Sequence, residues 1–203
     1  MNSLMIIRLY HPHIGGVEKH VASLSKSMAK KGHNVVILTE KYEPSLPNRE
    51  IVDGIEVIRF WYPHTSIFGL IYIWFWLLFH ANLILRSDII HCHDVFIWYL
   101  PFRFLFPKKK VYTTFHGWEG VYPIPWKNII FKRLANRLST GSLAVGKYIE
   151  KWYGIKADKI IYGAVSKIYD LRFKIYEKQE NMILYLGRLE KDTGLIKFLK
   201  WLK

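Results

Sequence analysis

Residues 4–38, LMIIRLYHPHIGGVEKHVASLSKSMAKKGHNVVIL, hold one complete structural unit. The apolar run through Ile6 and Ile7 predicts a strand over 4–9. His11-Pro12-His13-Ile14-Gly15-Gly16 then leads into a helix predicted over 16–31, with Val17, Val21, Leu24 and Met28 on one face. Lys30 and Lys31 suit its last turn, where cations meet the negative end of the dipole, and Gly32 ends it. Val35 to Leu38 begins the returning strand, 35–39. Strand, turn, helix and strand in this order form a βαβ unit, the building block of a parallel sheet.

The same alternation continues along the chain. Further strands are predicted at 55–60, 88–92, 110–115, 142–145, 159–162 and 182–186, and helices near 66–86, 94–106, 125–139 and 146–153. Several strands are almost wholly apolar, as strands buried on both faces are. The expected fold class is α/β, a Rossmann-like doubly wound parallel sheet. Residues 164–181 are polar and without clean periodicity and are read as a linker. That makes 1–163 one domain and 182–203 the truncated start of a second, since one strand and the helix starting at Gly194 cannot bury a core of their own.

The bulk numbers agree. At 203 residues, with 51% hydrophobic and 16% aromatic, the chain can build a core, and nothing in the composition suggests disorder. The single cysteine, Cys92, rules out a disulfide framework and fits a reducing compartment. No secretory signal pattern opens the sequence. A net charge of +14 favours an anionic partner, although a solvated Lys-rich surface would give the same number. Nucleic acid is not an expected partner, because the aromatic residues are not interleaved with basic ones.

Ile67 to Phe79 is thirteen residues without a charge. A membrane-spanning helix needs about 20 apolar residues, so the run is read as a helix packed against the sheet. A second reading stays open. Tyr72, Trp74 and Trp76 are of the types that favour a membrane interface, and Arg86 with Lys108-Lys109-Lys110 could meet anionic headgroups.

Four short motifs carry candidate chemistry. Gly15-Gly16, between the first strand and its helix, lets a phosphate or sugar approach the backbone and the free N–H groups of a helix N-terminus. A tight turn requiring positive φ is the structural alternative. Asp88-Ile89-Ile90-His91-Cys92-His93-Asp94 ends a strand, with His91 and His93 on one face and Cys92 on the other. Ligands bind at that edge of open α/β sheets, so His93 and Asp94 are candidate substrate contacts. His116-Gly117 leaves the next predicted strand at the same edge, where a histidine can hold a hydroxyl or polarise developing charge. Arg188, after the strand at 182–186, suits bidentate grip on a phosphate, and Gly194 opens the helix behind it. The other histidines show no metal-ligand spacing.

These motifs, in this order, resemble family 4 glycosyltransferases. The resemblance rests on His13-Ile14-Gly15-Gly16-Val17-Glu18-Lys19-His20, Lys31-Gly32-His33-Asn34-Val35, Asp88 to His93, Thr114-Phe115-His116-Gly117 and Gly187-Arg188-Leu189. It implies a GT-B arrangement of two Rossmann-like domains. The expected reaction moves a sugar from a nucleotide-sugar donor to a glycan or lipid-linked acceptor, with retention and without a bound metal or other cofactor. It also implies that Gly15 and Gly16 face the donor phosphates and the acceptor, that His116 is the active-site histidine touching the transferred sugar, and that Arg188 neutralises the leaving diphosphate. Many members have a lysine immediately before the helix-opening glycine. Here Thr193 stands there, and Lys191 is the candidate replacement. The family's paired donor-domain glutamates are absent, so the polypeptide is expected to be inactive alone. The expected setting is cytoplasmic, with peripheral contact at an anionic membrane, the inner face of the plasma membrane. The alternative is a non-catalytic binding half-domain that works with a separate donor-domain partner or binds anionic membrane or glycan ligands.

Overall fold

The computed structural model describes residues 1–63, 66–117, 123–162 and 199–200. The chain divides into two units, Met1–Ala164 and Val165–Lys203, and the architecture below is that of the first. The predicted linker and the strand at 182–186 lie outside the described residues. Of the predicted last helix only residues 199–200 are described, and they are helical.

Among the described residues eight strands form one sheet. In chain order they are β1 (Asn2–Ile7), β2 (Asn34–Glu40), β3 (Arg49–Val52), β4 (Ile55–Phe60), β5 (Ile89–His93), β6 (Lys110–Phe115), β7 (Gly141–Val145) and β8 (Lys159–Ile161). Their order across the sheet is β3-β4-β2-β1-β5-β6-β7-β8. Every pairing is parallel except β3 with β4. That hairpin was not predicted. It closes through Asp53 at φ 52 and Gly54 at φ 79, the pair of left-handed residues that a two-residue hairpin turn demands.

The helices are α1 (Gly16–Lys30), α2 (Ser66–Phe79), α3 (Ala81–Leu85), α4 (Phe96–Leu105), α5 (Trp126–Leu138) and α6 (Lys147–Tyr153). From β1 the chain steps one way to β2, and from β5 onward it steps the other way. Right-handed crossovers in opposite directions put their helices on opposite faces. Accordingly α1 sends Val17, Val21, Leu24 and Met28 against Met5, Ile7, Ile37 and Val57. The alternate residues Leu4, Ile6, Leu38, Ile90 and Cys92 point into the second core with α2 to α6. Each large side chain fully buried there contributes about 1.5–3 kcal/mol.

The end of α1 follows the sequence closely. The N–H of Gly32 (φ 80) donates to the Ala29 carbonyl, and that of His33 to the Met28 carbonyl. This pair of bonds is the Schellman arrangement, which needs the left-handed residue that glycine supplies. The single helix predicted over 66–86 is in fact two. His80 leaves helical geometry at φ −108, ψ 27, stacks on Trp76 and bonds the Trp76 carbonyl through both its backbone N–H and its ring Nδ1. Helix α2 packs on the sheet through Ile73 and Leu77, and Trp74 ties it to α4 by donating from Nε1 to the Ile97 carbonyl, 3.0 Å.

Candidate functional site at the carboxyl edge of the sheet

The order of strands reverses between β1 and β5, so the loops leaving them diverge and open a crevice at the carboxyl edge. A cleft of about 580 Å3 lies there, with Arg8, Val17, Glu18, His93, Asp94, His116 and Gly117 among its lining residues. The loops after β1, β5 and β6 therefore meet at one place, and they carry the first three sequence motifs.

Gly15 precedes α1 in extended geometry, φ −149 and ψ −179, and neither it nor Gly16 has a positive φ. A turn that requires glycine is thus not the reason for the pair. The two differ in their surroundings. A side chain at Gly15 would run into the Glu18 carboxylate, whereas one at Gly16 would meet nothing within 4 Å. Glu18 also takes a 2.9 Å bond with His13 Nδ1, so a carboxylate already sits at the positive end of α1.

Asp94 follows β5 at φ 61, a left-handed conformation that aspartate tolerates better than most residues. Its N–H donates to the Thr114 carbonyl. Its Oδ2 accepts from the His116 backbone N–H at 3.1 Å, and its Oδ1 pairs with Lys132 Nζ at 2.7 Å. Lys132 is 4% exposed, its ammonium lying 4.7 Å from the Tyr153 ring centroid. Asp94 therefore locks the β6 exit to α5 besides bordering the cleft.

From the other side, α6 holds the same loop. Tyr148 Oη donates to the His116 carbonyl (2.9 Å), and Tyr153 Oη donates to the Gly117 carbonyl (3.2 Å). Gly117 sits at φ 121, and a side chain there would strike the Tyr148 hydroxyl, so glycine is required.

Four histidines pack together at the cleft, with His93 and His116 among its lining residues. His93 Nδ1 and His116 Nε2 share a 3.0 Å hydrogen bond, and His91 Nε2 bonds Thr114 Oγ1 at 2.8 Å. The ring of His20, from α1, stands edge-on to His116 at 5.0 Å between centroids. His93 is 1% exposed, so it floors the site rather than projecting into it, and its Nε2 is buried without a hydrogen-bond partner among the described residues. Burial, the leading cause in each case, depresses all four. His91 and His116 are pushed down to about 4, His93 falls well below its usual value, and His20 is lowered. For His116 the Asp94 carboxylate opposes the shift without reversing it. The cluster is neutral at pH 7. Among the described residues no set of three or more His, Cys, Asp or Glu is arranged to hold a metal ion.

The structure thus brings His93, Asp94 and His116 to one cleft, while Gly15 and Gly16 are not among its lining residues and stand just before Val17 and Glu18, which are. Arg188 and Lys191 lie outside the described residues. Sequence reading missed His20, Lys132, Tyr148 and Tyr153. His20 carried a weak signal, lying one helical turn beyond Gly16. The other three come from later helices and had none.

A mostly parallel Rossmann-like sheet with its cleft at the switch point is the architecture of a GT-B glycosyltransferase domain. Residues 14–162 match Glycosyltransferase Family 4, and the chain belongs to that family. An uncharacterised glycosyltransferase of Methanocaldococcus jannaschii is 24% identical over 233 aligned positions, covering 96% of this chain and 57% of that one. The GPI3 subunit of phosphatidylinositol N-acetylglucosaminyltransferase from Saccharomyces cerevisiae is 36% identical over 56 residues, 28% of this chain and 12% of that protein. Among solved structures, sucrose-phosphate synthase from Thermosynechococcus elongatus superposes with a TM-score of 0.58 at 14% identity, over 79% of this chain and 47% of that one, a likeness of fold. The chain spans about an eighth of the yeast relative and somewhat over half of the archaeal one.

Proposed function

We propose that this domain binds the acceptor and holds the reacting end of the donor during retaining transfer of a sugar from a nucleotide-sugar to a glycan or lipid-linked acceptor, on the cytoplasmic side of a membrane. One observation carries the reading: the loops after β1, β5 and β6 converge on a single cleft at the topological switch point, with a neutral, firmly held His116 at its edge. Retention and the absence of a metal from the reaction are taken from the family resemblance.

The chain's own residues suggest how this works. His116 is fixed through its backbone by Asp94 and Tyr148 and through its ring by His93. A bare buried nitrogen lone pair on His93 Nε2 costs less than an unpaired N–H, so we assign the His93 proton to Nδ1. His93 then donates to His116 Nε2, and His116 carries its own proton on Nδ1. That N–H is the group offered to a hydroxyl or ring oxygen of the transferred sugar, in a site already paid for in orientation. Gly16 leaves backbone open to a ligand, and Glu18 with His13 must turn aside before an anion reaches Gly15. Arg188 and Lys191 are assigned to the leaving diphosphate on their sequence motif alone, where cation stabilisation of departing charge has its largest effect.

The test is sugar transfer by an enzyme containing this chain. Replacing His116 by Ala is expected to cut kcat by about 10²–10³, the range for loss of a preorganised hydrogen-bond donor, and to lower stability by about 1–3 kcal/mol because the buried His93 N–H loses its acceptor, so kcat is read well below the variant's Tm. Undiminished kcat in that variant removes His116 from the reaction.

A further inference from the structure

The layer formed by α2, α4 and α5 exposes large apolar side chains on its outer side besides burying them on its inner one, with the cations of α5 among them. Helix α2 has no charged side chain from Ile67 to Phe79, and its polar groups there are the Tyr72 hydroxyl and the indole N–H groups of Trp74 and Trp76. Its inner residues Ile73 and Leu77 are fully buried, but Phe68, Ile71, Phe75, Leu78 and Phe79 are 39–82% exposed. They recur at three- and four-residue steps, which makes one continuous stripe along the helix. Neighbouring helices extend the surface through Leu105 at the end of α4 and through Trp126 and Ile130 of α5, each 49–66% exposed. Scattered apolar residues need no partner, but a contiguous patch of several hundred Å2 does.

Charge identifies the partner. From Val57 to Ile149 the chain carries eleven Lys and Arg, and its acidic residues there are Asp88, Asp94 and Glu119 alone. None of the three lies in α2, α3, α4 or α5. Lys108 and Lys110 are exposed just beyond Leu105, and Lys127 lies over the Trp126 ring, 5.8 Å from its centroid. A second copy of the chain would bring two cationic faces together. An apolar stripe bordered by lysine and arginine instead matches a bilayer leaflet, with acyl chains under the stripe and phosphates at its rim. At about 1.5 Å per residue α2 is too short to cross that bilayer, and among the described residues no helix is long and apolar enough to do so.

We propose that this layer docks the protein on an anionic phospholipid leaflet, with α2 lying in the interface plane. Phe68, Phe75 and Phe79 enter the headgroup–acyl boundary, Trp126 sits at headgroup level, and Lys108, Lys110 and Lys127 meet lipid phosphates. The inference stands without the transferase reading and adds to it the surface on which a lipid-linked acceptor would be met.

Flotation of the 203-residue chain with phosphatidylcholine vesicles, with and without phosphatidylglycerol, tests it. The chain is expected to float with the anionic vesicles at low salt and to be largely released at high salt. The double variant Phe68→Glu/Phe75→Glu should bind roughly tenfold more weakly or worse, with an unchanged unfolding midpoint because both side chains are exposed. Lys108→Gln/Lys110→Gln should weaken anionic binding about thirtyfold and leave any neutral-vesicle binding unchanged. Failure of the chain to float with anionic vesicles overturns the proposal, as does equal flotation of the phenylalanine variant. A wild-type dimer in light scattering that this variant converts to monomer also overturns it, because the face then belongs to a second copy. An active His116→Ala enzyme would sink the catalytic reading and leave this one intact.

Discussion

The Asp94–Lys132 pair offers a quantitative test of how the β6 exit is held. Lys132 is 5% exposed and Asp94 25% exposed by side chain, with Oδ1 and Nζ 2.7 Å apart. Breaking a fully buried pair costs about 3–5 kcal/mol, and the partial exposure of Asp94 lowers the expectation to about 2–3 kcal/mol for Asp94→Asn. Asparagine keeps an acceptor for the His116 N–H and tolerates φ 61. Alanine loses that bond, about 1 kcal/mol, and is strained in the left-handed region by about as much again, so Asp94→Ala should cost about 4 kcal/mol. Urea unfolding of the two single variants, of Lys132→Met and of the Asp94→Asn/Lys132→Met double variant closes a cycle. The expected coupling is about 2 kcal/mol. A coupling below about 0.5 kcal/mol, or equal losses for asparagine and alanine, would refute the account of this loop.

Acid should weaken the domain through the histidine cluster. His91 and His116 titrate near 4 when folded but near 6.5 when unfolded, so between those values the unfolded chain binds more protons and stability falls as pH falls. The urea midpoint at pH 5 should lie below that at pH 7.5, and in His93→Gln the difference should shrink. Gly16→Ala should leave stability unchanged or raise it by up to about 1 kcal/mol, since a methyl there meets nothing and suits a helix, while ligand binding in the cleft falls. Calorimetry and thermal melts together would show whether the two effects separate. Arg59 is 2% exposed, its guanidinium bonding the His11 and Pro47 carbonyls and the Glu50 carboxylate. Arg59→Met should therefore cost about 3 kcal/mol by chemical denaturation. Cys92, buried with its thiol pushed far up by desolvation, should resist thiol reagents in the native protein and react once urea unfolds it.

The parallel core of the fold could be read from the chain because its strands are apolar runs and its turns carry glycine. The predicted strands at 55–60 and 110–115 coincide with β4 and β6. The β3–β4 hairpin was overlooked although Asp53-Gly54 lies between Val52 and Ile55, a two-residue turn signal that local reading can catch. His80 shows the opposite case. Nothing in its immediate neighbours announces that its ring will stack on Trp76 and end α2. At the cleft, His93, Asp94 and His116 were legible because each sits where a strand hands over to the next segment, whereas Gly15 and Gly16 precede the lining residues Val17 and Glu18. That His93 lies beneath His116, 1% exposed, rather than beside a ligand was not legible, because strand alternation gives the face of a side chain and not its depth. Lys132, Tyr148 and Tyr153 reach the site across 32 to 38 residues of chain, and long-range pairing leaves no local mark.

The two tyrosine bonds to the His116–Gly117 backbone also set an order of events during synthesis. Tyr148 and Tyr153 are made 32 and 36 residues after the carbonyls they hold. At about 5–20 residues per second, the ribosome delivers Tyr153 roughly 2–7 s after Gly117, and the exit tunnel delays its emergence alike. Until then the loop after β6 has only Asp94 and His93, both made earlier, to hold it. The two tyrosine bonds that complete the hold on His116 and Gly117 form only after α6 has left the ribosome.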